Sequence, residues 1–317
     1  MPTPVFLTVD TEFAWRHHRA GLDLARVYER SLEPAGVGVT YQLARLRAHG
    51  LKATFLVDPM PALVYGLDPI KRIVGTILDA EQDVQLHLHP NWTDARLDDR
   101  SAHAPGNLTD YDRSGQQALI EAARALLVDA GAPSPVAFRA GSYAANPDTL
   151  EALAALGFAV DSSHNGSMQP DFSKVDLAPT HMAPLRHRGL IEVPVSLIED
   201  RPGRLRTVQI CALSASEMRA ALGHARVAHH AAVVIVSHGF ELANRAGTAP
   251  NMVHVRRFDA LCALLEEHQA MLPTHVLGAV PPLPLDRRDA PMKPHAARYY
   301  WRQAEQLWSN IVAERAA

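Results

Sequence analysis

Residues 232–238 read Ala232-Val233-Val234-Ile235-Val236-Ser237-His238, an apolar and largely β-branched run that ends in two polar residues. Such a run is typical of a parallel strand that is buried on both faces. Strand-like runs also occur earlier in the chain, at residues 5–9, 52–57, 83–88, 136–139, near 160 and at 191–195.

Helical patterns separate these runs. Apolar residues at helical spacing follow most of them, and Gly50, Gly131 and Gly157 stand where a C-terminal helix glycine belongs. Ser214 and Glu217 fit a capping box that begins a further helix. Alternating strands and helices imply right-handed crossovers and a parallel sheet. About seven strands over the whole length favour a closed barrel over an open sheet.

The chain is therefore predicted to be a single α/β domain. We expect the barrel to occupy residues 1–280. Residues 281–317 are proline-rich at first and then helical, and we expect them to pack on the barrel or to mediate self-association. Residues 165–188 lack periodicity and predict a long surface loop of the kind that often shapes a substrate site.

Composition excludes several classes of protein. The 317 residues carry 31 basic and 34 acidic side chains, a net charge of −3, with no block of like charge that would indicate a nucleic-acid partner. No apolar run is long enough to span a bilayer. Cys211 and Cys262 are too few for a disulfide scaffold. The N-terminus lacks a signal-peptide pattern, which leads us to expect a cytoplasmic protein.

Polar side chains stand at the carboxyl ends of five predicted strands. Functional residues of parallel α/β proteins gather at those ends. The residues concerned are Asp10, Glu12, His87, His89, Arg139, Asp161 and His238.

His87 and His89 are the best candidates for metal ligands. Residues at i and i+2 of an extended segment point to the same face, so the two imidazoles could share one ion. Asp10 and Glu12 each offer a carboxylate as third ligand. Two histidines and a carboxylate suit Zn²⁺, and also Fe²⁺, Co²⁺ or Ni²⁺.

For four other residues the sequence supports a functional and a purely structural interpretation about equally. Asp161, followed by two serines, fits a turn cap as well as a catalytic group. The aromatic residues Trp15, Trp92 and Tyr143 lie beside the polar segments, where they could stack on a sugar or serve as ordinary packing.

The ordered set of segments resembles the polysaccharide deacetylases, the family of NodB-homology or carbohydrate esterase family 4 enzymes. The resemblance covers roughly residues 5–239, and its segments are Leu7-Thr8-Val9-Asp10-Thr11-Glu12, Gly50-Leu51-Lys52-Ala53-Thr54-Phe55, Asp83-Val84-Gln85-Leu86-His87, Phe138-Arg139-Ala140-Gly141-Ser142-Tyr143, Asp161 and Val236-Ser237-His238. It implies a distorted (β/α)7-type barrel, a divalent metal and hydrolysis of an amide.

Two departures mark this chain as a variant. The family's paired aspartates are replaced by Asp10-Thr11-Glu12. We choose Glu12 as the metal ligand, because some relatives, including lipid-linked aminosugar deformylases, also have their two acidic residues two positions apart. The family's second histidine lies four residues after the first, where this chain has Asn91, so His89 must substitute.

The resemblance implies roles for the remaining residues. Asp10 would be the general base, oriented by Arg139, and His238 the general acid, with Asp161 as its possible partner. We expect a hydrolase that removes an N-acyl group, such as acetyl, from an amino sugar or a glycan precursor in surface-polysaccharide synthesis. The alternatives are a deformylase or another hydrolase of non-peptide C–N bonds, or a binding protein that has lost catalysis.

Overall fold

The computed structural model describes residues 2–99, 101, 104–285 and 287–312. Its strands are β1 (Val5–Thr11), β2 (Thr54–Val57), β3 (Asp83–Leu88), β4 (Ala137–Ala140), β5 (Val160–Asp161), β6 (Leu185–His187), β7 (Leu190–Glu192), β8 (Leu197–Arg201), β9 (Arg204–Thr207), β10 (Val233–His238) and β11 (Thr274–His275). Its α-helices are α1 (Trp15–Arg19), α2 (Leu24–Leu32), α3 (Val39–Ala48), α4 (Ala62–Tyr65), α5 (Asp68–Asp79), α6 (Arg113–Asp129), α7 (Pro147–Ala155), α8 (Ala215–Val227), α9 (Met252–Glu267) and α10 (Ala296–Val312).

One sheet carries the fold. Its strands follow the order β10-β1-β2-β3-β4-β5-β7-β6, and β11 lies beside β1. All the pairings are parallel except that of β6 with β7. The path from β10 to β7 holds seven parallel strands among the described residues, and helices connect most of them. The predicted α/β single-domain fold of the distorted-barrel type is confirmed.

An irregular segment joins the two edges of the curled sheet. The Val193 N–H donates to the Asp161 carbonyl beside β5, and the Ser196 N–H donates to the Val234 carbonyl in β10. Further along, the Val236 N–H donates to the Val208 carbonyl at 3.0 Å. Backbone groups at both edges are thus satisfied, which a buried sheet requires.

Alternate residues of the strands form two separate apolar clusters. Side chains such as Leu7, Phe55 and Leu86 pack with the helices in the outer cluster. Side chains of the opposite parity, including Phe6 and Leu56, form a smaller inner cluster. The strands are therefore buried on both faces, as the run at residues 232–238 predicts.

The β8–β9 hairpin is absent from the sequence-based prediction. It pairs antiparallel, outside the main sheet, around a turn at Pro202-Gly203, where Gly203 has a φ of 76°. A Pro-Gly pair between two apolar-containing runs is a turn signal and would have predicted it. The predicted strand at 191–195 ends at Glu192 in the structure, where the chain enters the irregular segment.

The predicted C-terminal helix is present as α10, and buried ion pairs attach it to the barrel. The Arg302 guanidinium donates to Glu217 on α8 and to Asp200 on β8, both at 3.1 Å. Arg257 on α9 binds Glu305 at 2.8 Å. The opposite side of α10 is exposed and apolar at Tyr300, Trp301, Leu307, Trp308 and Ile311. Self-association through this segment stays a prediction.

None of the helices in the described residues has both the length and the apolar character needed to cross a bilayer.

Replacing Arg302 with alanine should lower the free energy of unfolding by about 3 kcal/mol, because two buried carboxylates lose a partner. Urea denaturation measures this change. Gln303→Ala on the exposed side of the same helix is the matched control and should stay within about 0.5 kcal/mol of the unaltered protein. Equal stability of the two variants would show that α10 is not held by these contacts.

Candidate active site

The parity of the strands brings six of the predicted residues to one place. Four of them point to the same face of the sheet as the inner cluster and lie at or near the carboxyl ends of their strands: Asp10, His87, Arg139 and His238. In the parallel register Asp10 lies beside His238, and His87 lies beside Arg139. Glu12 and His89 follow two residues after Asp10 and His87 and approach each other above the inner cluster.

Glu12, His87 and His89 form a compact set of ligand atoms. Glu12 Oε2 lies 3.2 Å from His87 Nε2 and 2.5 Å from His89 Nε2. One donor atom of each residue lies within 4.8 Å of the other two. Two imidazole nitrogens and one carboxylate oxygen at this spacing fit a Zn²⁺ site that keeps an open position.

The surroundings orient this donor set. His87 is buried, and its Nδ1 lies 2.8 Å from the Arg139 carbonyl oxygen, to which it donates. That hydrogen bond orients the ring so that Nε2 faces Glu12 Oε2 at 3.2 Å. A ligating histidine held in this way by a backbone carbonyl is a common feature of metal sites. A Cβ on Gly141 would come within 2.5 Å of the His89 ring, so the loop packs closely against that ring.

Protons compete with a metal for this set. Burial opposes the charge of His89, but Glu12, Asp58 and Asp10 outweigh it and raise the pKa of His89 to about 9. Burial also opposes the charge of Glu12, and the two histidines outweigh it and hold the pKa of Glu12 well below its usual range. Because a protonated imidazole cannot ligate, uptake of a metal requires release of the His89 proton.

Asp10 and Arg139 form a fully buried ion pair. Arg139 Nη1 lies 2.7 Å from Asp10 Oδ1 and also donates to Thr8 Oγ1 at 2.9 Å. The remaining guanidinium nitrogens bond to the carbonyl and the hydroxyl of Ser162, both at 3.1 Å. Asp10 is therefore fixed with one oxygen on Arg139 and the other directed towards His238, 3.9 Å from its Nε2.

The carboxylate that accompanies His238 is Glu241. Glu241 Oε2 accepts from the backbone N–H of His238 at 3.0 Å and lies 3.8 Å from Nδ1 of the His238 ring. Its Oε1 accepts from the Gln209 amide and from the Cys211 N–H. Burial opposes the charge of His238, but Glu241 and Asp10 outweigh it and raise the pKa of His238 to about 9. This shift favours the protonated form of His238 at neutral pH.

Asp161 lies away from this group. It is in register with Phe138 of the outer cluster, so its side chain faces the helices. Its oxygens accept from the N–H and the hydroxyl of Ser163 at 3.0 and 2.7 Å. Burial raises the pKa of Asp161 and of the adjoining Glu192. This arrangement corresponds to the turn-cap alternative, and the structure does not bring Asp161 into contact with His238.

The three aromatic residues differ in their surroundings. Trp92 is 1% exposed and packs edge-on against Trp15 at 4.8 Å, which corresponds to the packing alternative. Trp15 is half-buried at the rim of that cluster. Tyr143 has a φ of 58° after Ser142 with a φ of 55°. Its hydroxyl is buried without a hydrogen-bond partner among the described residues. Strained backbone of this kind clusters at functional sites.

Two residues of the site were missed by the sequence analysis. Asp58 directly follows β2, with its N–H on the Thr11 carbonyl at 3.0 Å. Burial raises its pKa to about 6 against the opposing charges of His89 and His87. The strand-end rule that found Asp10 would have found Asp58 too. Glu241 lies in the turn after β10, where no periodic signal marks it.

No family model matches the chain, and no curated protein matches it. Its fold is similar to that of a 4-alpha-glucanotransferase from Thermococcus litoralis, with a TM-score of 0.50 at 9% identity over 87% of this chain and 39% of that one. The chain is also similar to a provisionally assigned polysaccharide deacetylase from Mycobacterium smegmatis, with a TM-score of 0.48 at 19% identity over 89% and 96% of the chains. A third similar structure is a family 4 carbohydrate esterase from Streptomyces lividans in complex with acetate. Its TM-score is 0.44 at 15% sequence identity, over 91% of this chain and 98% of that one. The likeness to the glucanotransferase shows a shared fold, and the reaction is argued from the site.

Protein purified without chelators should contain about one divalent transition metal per chain. His89→Ala and Glu12→Gln should abolish that content, because each removes one of three donors. Elemental analysis measures it, and circular dichroism verifies that the variants are folded. His87→Ala should behave in the same way, although its imidazole is more deeply buried.

His49→Ala provides the matched control, since His49 pairs with Glu266 on the outside of the barrel. It should retain the full metal content. A metal-free parent protein that also fails to take up Zn²⁺, Co²⁺ or Ni²⁺ would contradict the site and favour a non-catalytic role.

Proposed function

We propose that the protein is a metal-dependent hydrolase that removes an N-acyl group from an amino sugar or a glycan precursor. The observation that carries this proposal is the joint placement of three kinds of group on one inner face. These are the donor set of Glu12, His87 and His89, the Asp10–Arg139 pair, and His238 with Glu241. Amide hydrolysis needs an electrophilic activator, a base and an acid within reach of one bond.

Glu12, His87 and His89 would hold the metal. A divalent ion in this place supplies Lewis acidity, which polarises an amide carbonyl and lowers the pKa of a water. Zn²⁺ fits two imidazoles and a carboxylate, and Co²⁺, Ni²⁺ or Fe²⁺ accept the same donors.

Asp10 would act as the general base. Its buried carboxylate accepts from Arg139 through one oxygen, which leaves the other oxygen available to take a proton from the attacking water. A base that is held by a second charged group loses no orientation entropy during the reaction. Arg139 is thus a positioning residue, because it acts through Asp10.

His238 would donate the proton to the leaving amine. The amine must be protonated as the C–N bond breaks, so the donor must carry its proton before the step. Glu241 would keep His238 in that state. The distance of 3.9 Å between His238 Nε2 and Asp10 Oδ2 supports a scheme in which the acid and the base act on the same bond. Asp161 has no direct part in this scheme.

Tyr143 and Trp15 would contact the sugar. The buried Tyr143 hydroxyl lacks a partner among the described residues and could bond to a substrate oxygen. The half-buried Trp15 could pack against a ring face. Acetyl is our preferred acyl group. Formyl is the alternative, because a formamide is smaller and is cleaved by the same reaction. A cytoplasmic role in surface-polysaccharide synthesis is part of this proposal.

Asp10→Asn should reduce amide hydrolysis by about 10²- to 10⁴-fold while the metal content stays unchanged, because the amide keeps the bond to Arg139 but cannot accept the proton. Release of free amine from N-acetylated and N-formylated glucosamine oligomers measures the rate. Unchanged turnover would contradict the assignment of the base. Loss of metal would exchange the roles of Asp10 and Glu12.

Glu241→Gln should move the high-pH decline of kcat to lower pH. An acid is active while protonated, so activity is lost as pH rises through the pKa of His238. Removing the carboxylate takes away about 1.5–3 kcal/mol of stabilisation from the protonated imidazole, which lowers the pKa of His238 by about one to two units. The pH profile of kcat measures the shift.

Glu266→Gln is the matched control, because Glu266 also pairs with a histidine but lies outside the barrel. Its profile should coincide with that of the parent protein. A profile of Glu241→Gln that also coincides would exclude His238 as the acid.

A further inference from the structure

A polar cleft of about 480 Å³ adjoins the acid side of the site. One wall is the loop at residues 166–169, and the other is the β8–β9 hairpin at residues 203–207. Gln209 lines the same cleft, and its amide donates to Glu241 at 2.8 Å and lies 3.4 Å from His238 Nδ1. The side chain of Gln209 therefore links the cleft to His238 and Glu241. Its volume is that of a small-molecule pocket.

Hydrogen bonds hold the two walls at a fixed separation. The Asn165 amide donates to Thr207 Oγ1 at 3.1 Å, and the Ser167 hydroxyl lies 2.8 Å from the same oxygen. Gly166 packs against Pro179 so closely that a Cβ would lie 1.7 Å from the Pro179 carbonyl oxygen. The cleft is thus a built feature of the fold, because both walls are anchored at its floor.

The lining of this cleft is cationic. Arg204 and Arg206 line it, and no acidic side chain does so among the described residues. Arg206 is bound by the buried Asp200 at 2.8 Å. Asp200 also holds Arg302, which is shared with Glu217.

Three guanidinium groups, those of Arg204, Arg206 and Arg302, thus face the two carboxylates of Asp200 and Glu217. Of the three, Arg204 has the weakest contact with a carboxylate, so its charge is the least neutralised. Its side chain is 56% exposed and comes no nearer than 4.0 Å to Asp200. A guanidinium in this position can turn into the cleft and bind anionic oxygens through two parallel N–H groups.

We propose that this cleft binds an anionic substituent of the substrate, so that the preferred substrate is an acylated amino sugar that carries a phosphate or a carboxylate. The inference rests on the proposed function, because it places the acylated nitrogen beside His238 and the charge beside Arg204. The two anions share the chemistry that Arg204 recognises. A neutral sugar would leave the surplus charge unpaired and would bind more weakly.

Calorimetric titration of the zinc-supplemented protein tests this inference with three probes. These are the neutral N-acetylglucosamine, N-acetylglucosamine 1-phosphate and the carboxylate-bearing N-acetylmuramic acid. At least one charged probe should bind about tenfold more tightly than the neutral sugar, as expected for one charge-assisted hydrogen bond. Raising the salt concentration should reduce the difference, because the guanidinium is partly exposed.

Arg204→Gln should remove the preference for the charged probe and leave the binding of the neutral sugar unchanged. Arg219→Gln, an exposed arginine on α8, is the matched control and should keep the preference. Equal affinity of all three probes for the parent protein would overturn the inference. So would a charge preference that survives in Arg204→Gln.

Hydrolysis of the same probes is measured separately, by release of free amine. Binding with charge preference but without hydrolysis of any probe would count against the proposed function and leave the anion cleft standing. Hydrolysis of the probes without any preference for charge would support the proposed function and overturn the anion cleft. Comparison of the two charged probes identifies the anion.

Discussion

The guanidinium of Arg139 has no exposed surface, and both halves of the site depend on its position. Its side chain holds Asp10, while its backbone carbonyl holds His87 Nδ1. One residue of β4 therefore orients the proposed base and one of the proposed metal ligands. A buried cation is stable only where every donor has a partner, and Thr8, Asp10 and Ser162 supply those partners. The site and the barrel interior are thus one hydrogen-bonded unit.

Much of this arrangement could be predicted from the sequence, because it follows from two regular features. Parallel strands gather their carboxyl ends at one edge, and alternate residues share a face. Those rules brought Asp10, Glu12, His87 and His89 together. They do not bring Asp161 to the same place, because β5 has only two residues and its last residue points to the outer face of the sheet. The position of Glu241 beside His238 depends on the path of the turn after β10, and periodic sequence patterns do not predict such a path.

The periphery of the site depends on contacts that are distant in sequence. Asp200 on the β8–β9 hairpin bonds to Arg302 on the C-terminal helix, and the same hairpin presents Arg204 to the cleft. The last helix therefore supports the hairpin wall of the cleft. Sequence patterns predicted the helix but not this coupling, because the hairpin went unrecognised and a buried ion pair leaves no local signature.

Glu12, His87 and His89 are proposed to bind one divalent ion, and the proposed chemistry depends on that ion. The most direct test is an anomalous difference map from crystals grown with zinc, recorded on both sides of the zinc absorption edge. We expect a single strong peak within about 2.0–2.2 Å of Glu12 Oε2, His87 Nε2 and His89 Nε2. Peaks elsewhere only, with Glu12 still bound directly to His89, would contradict it.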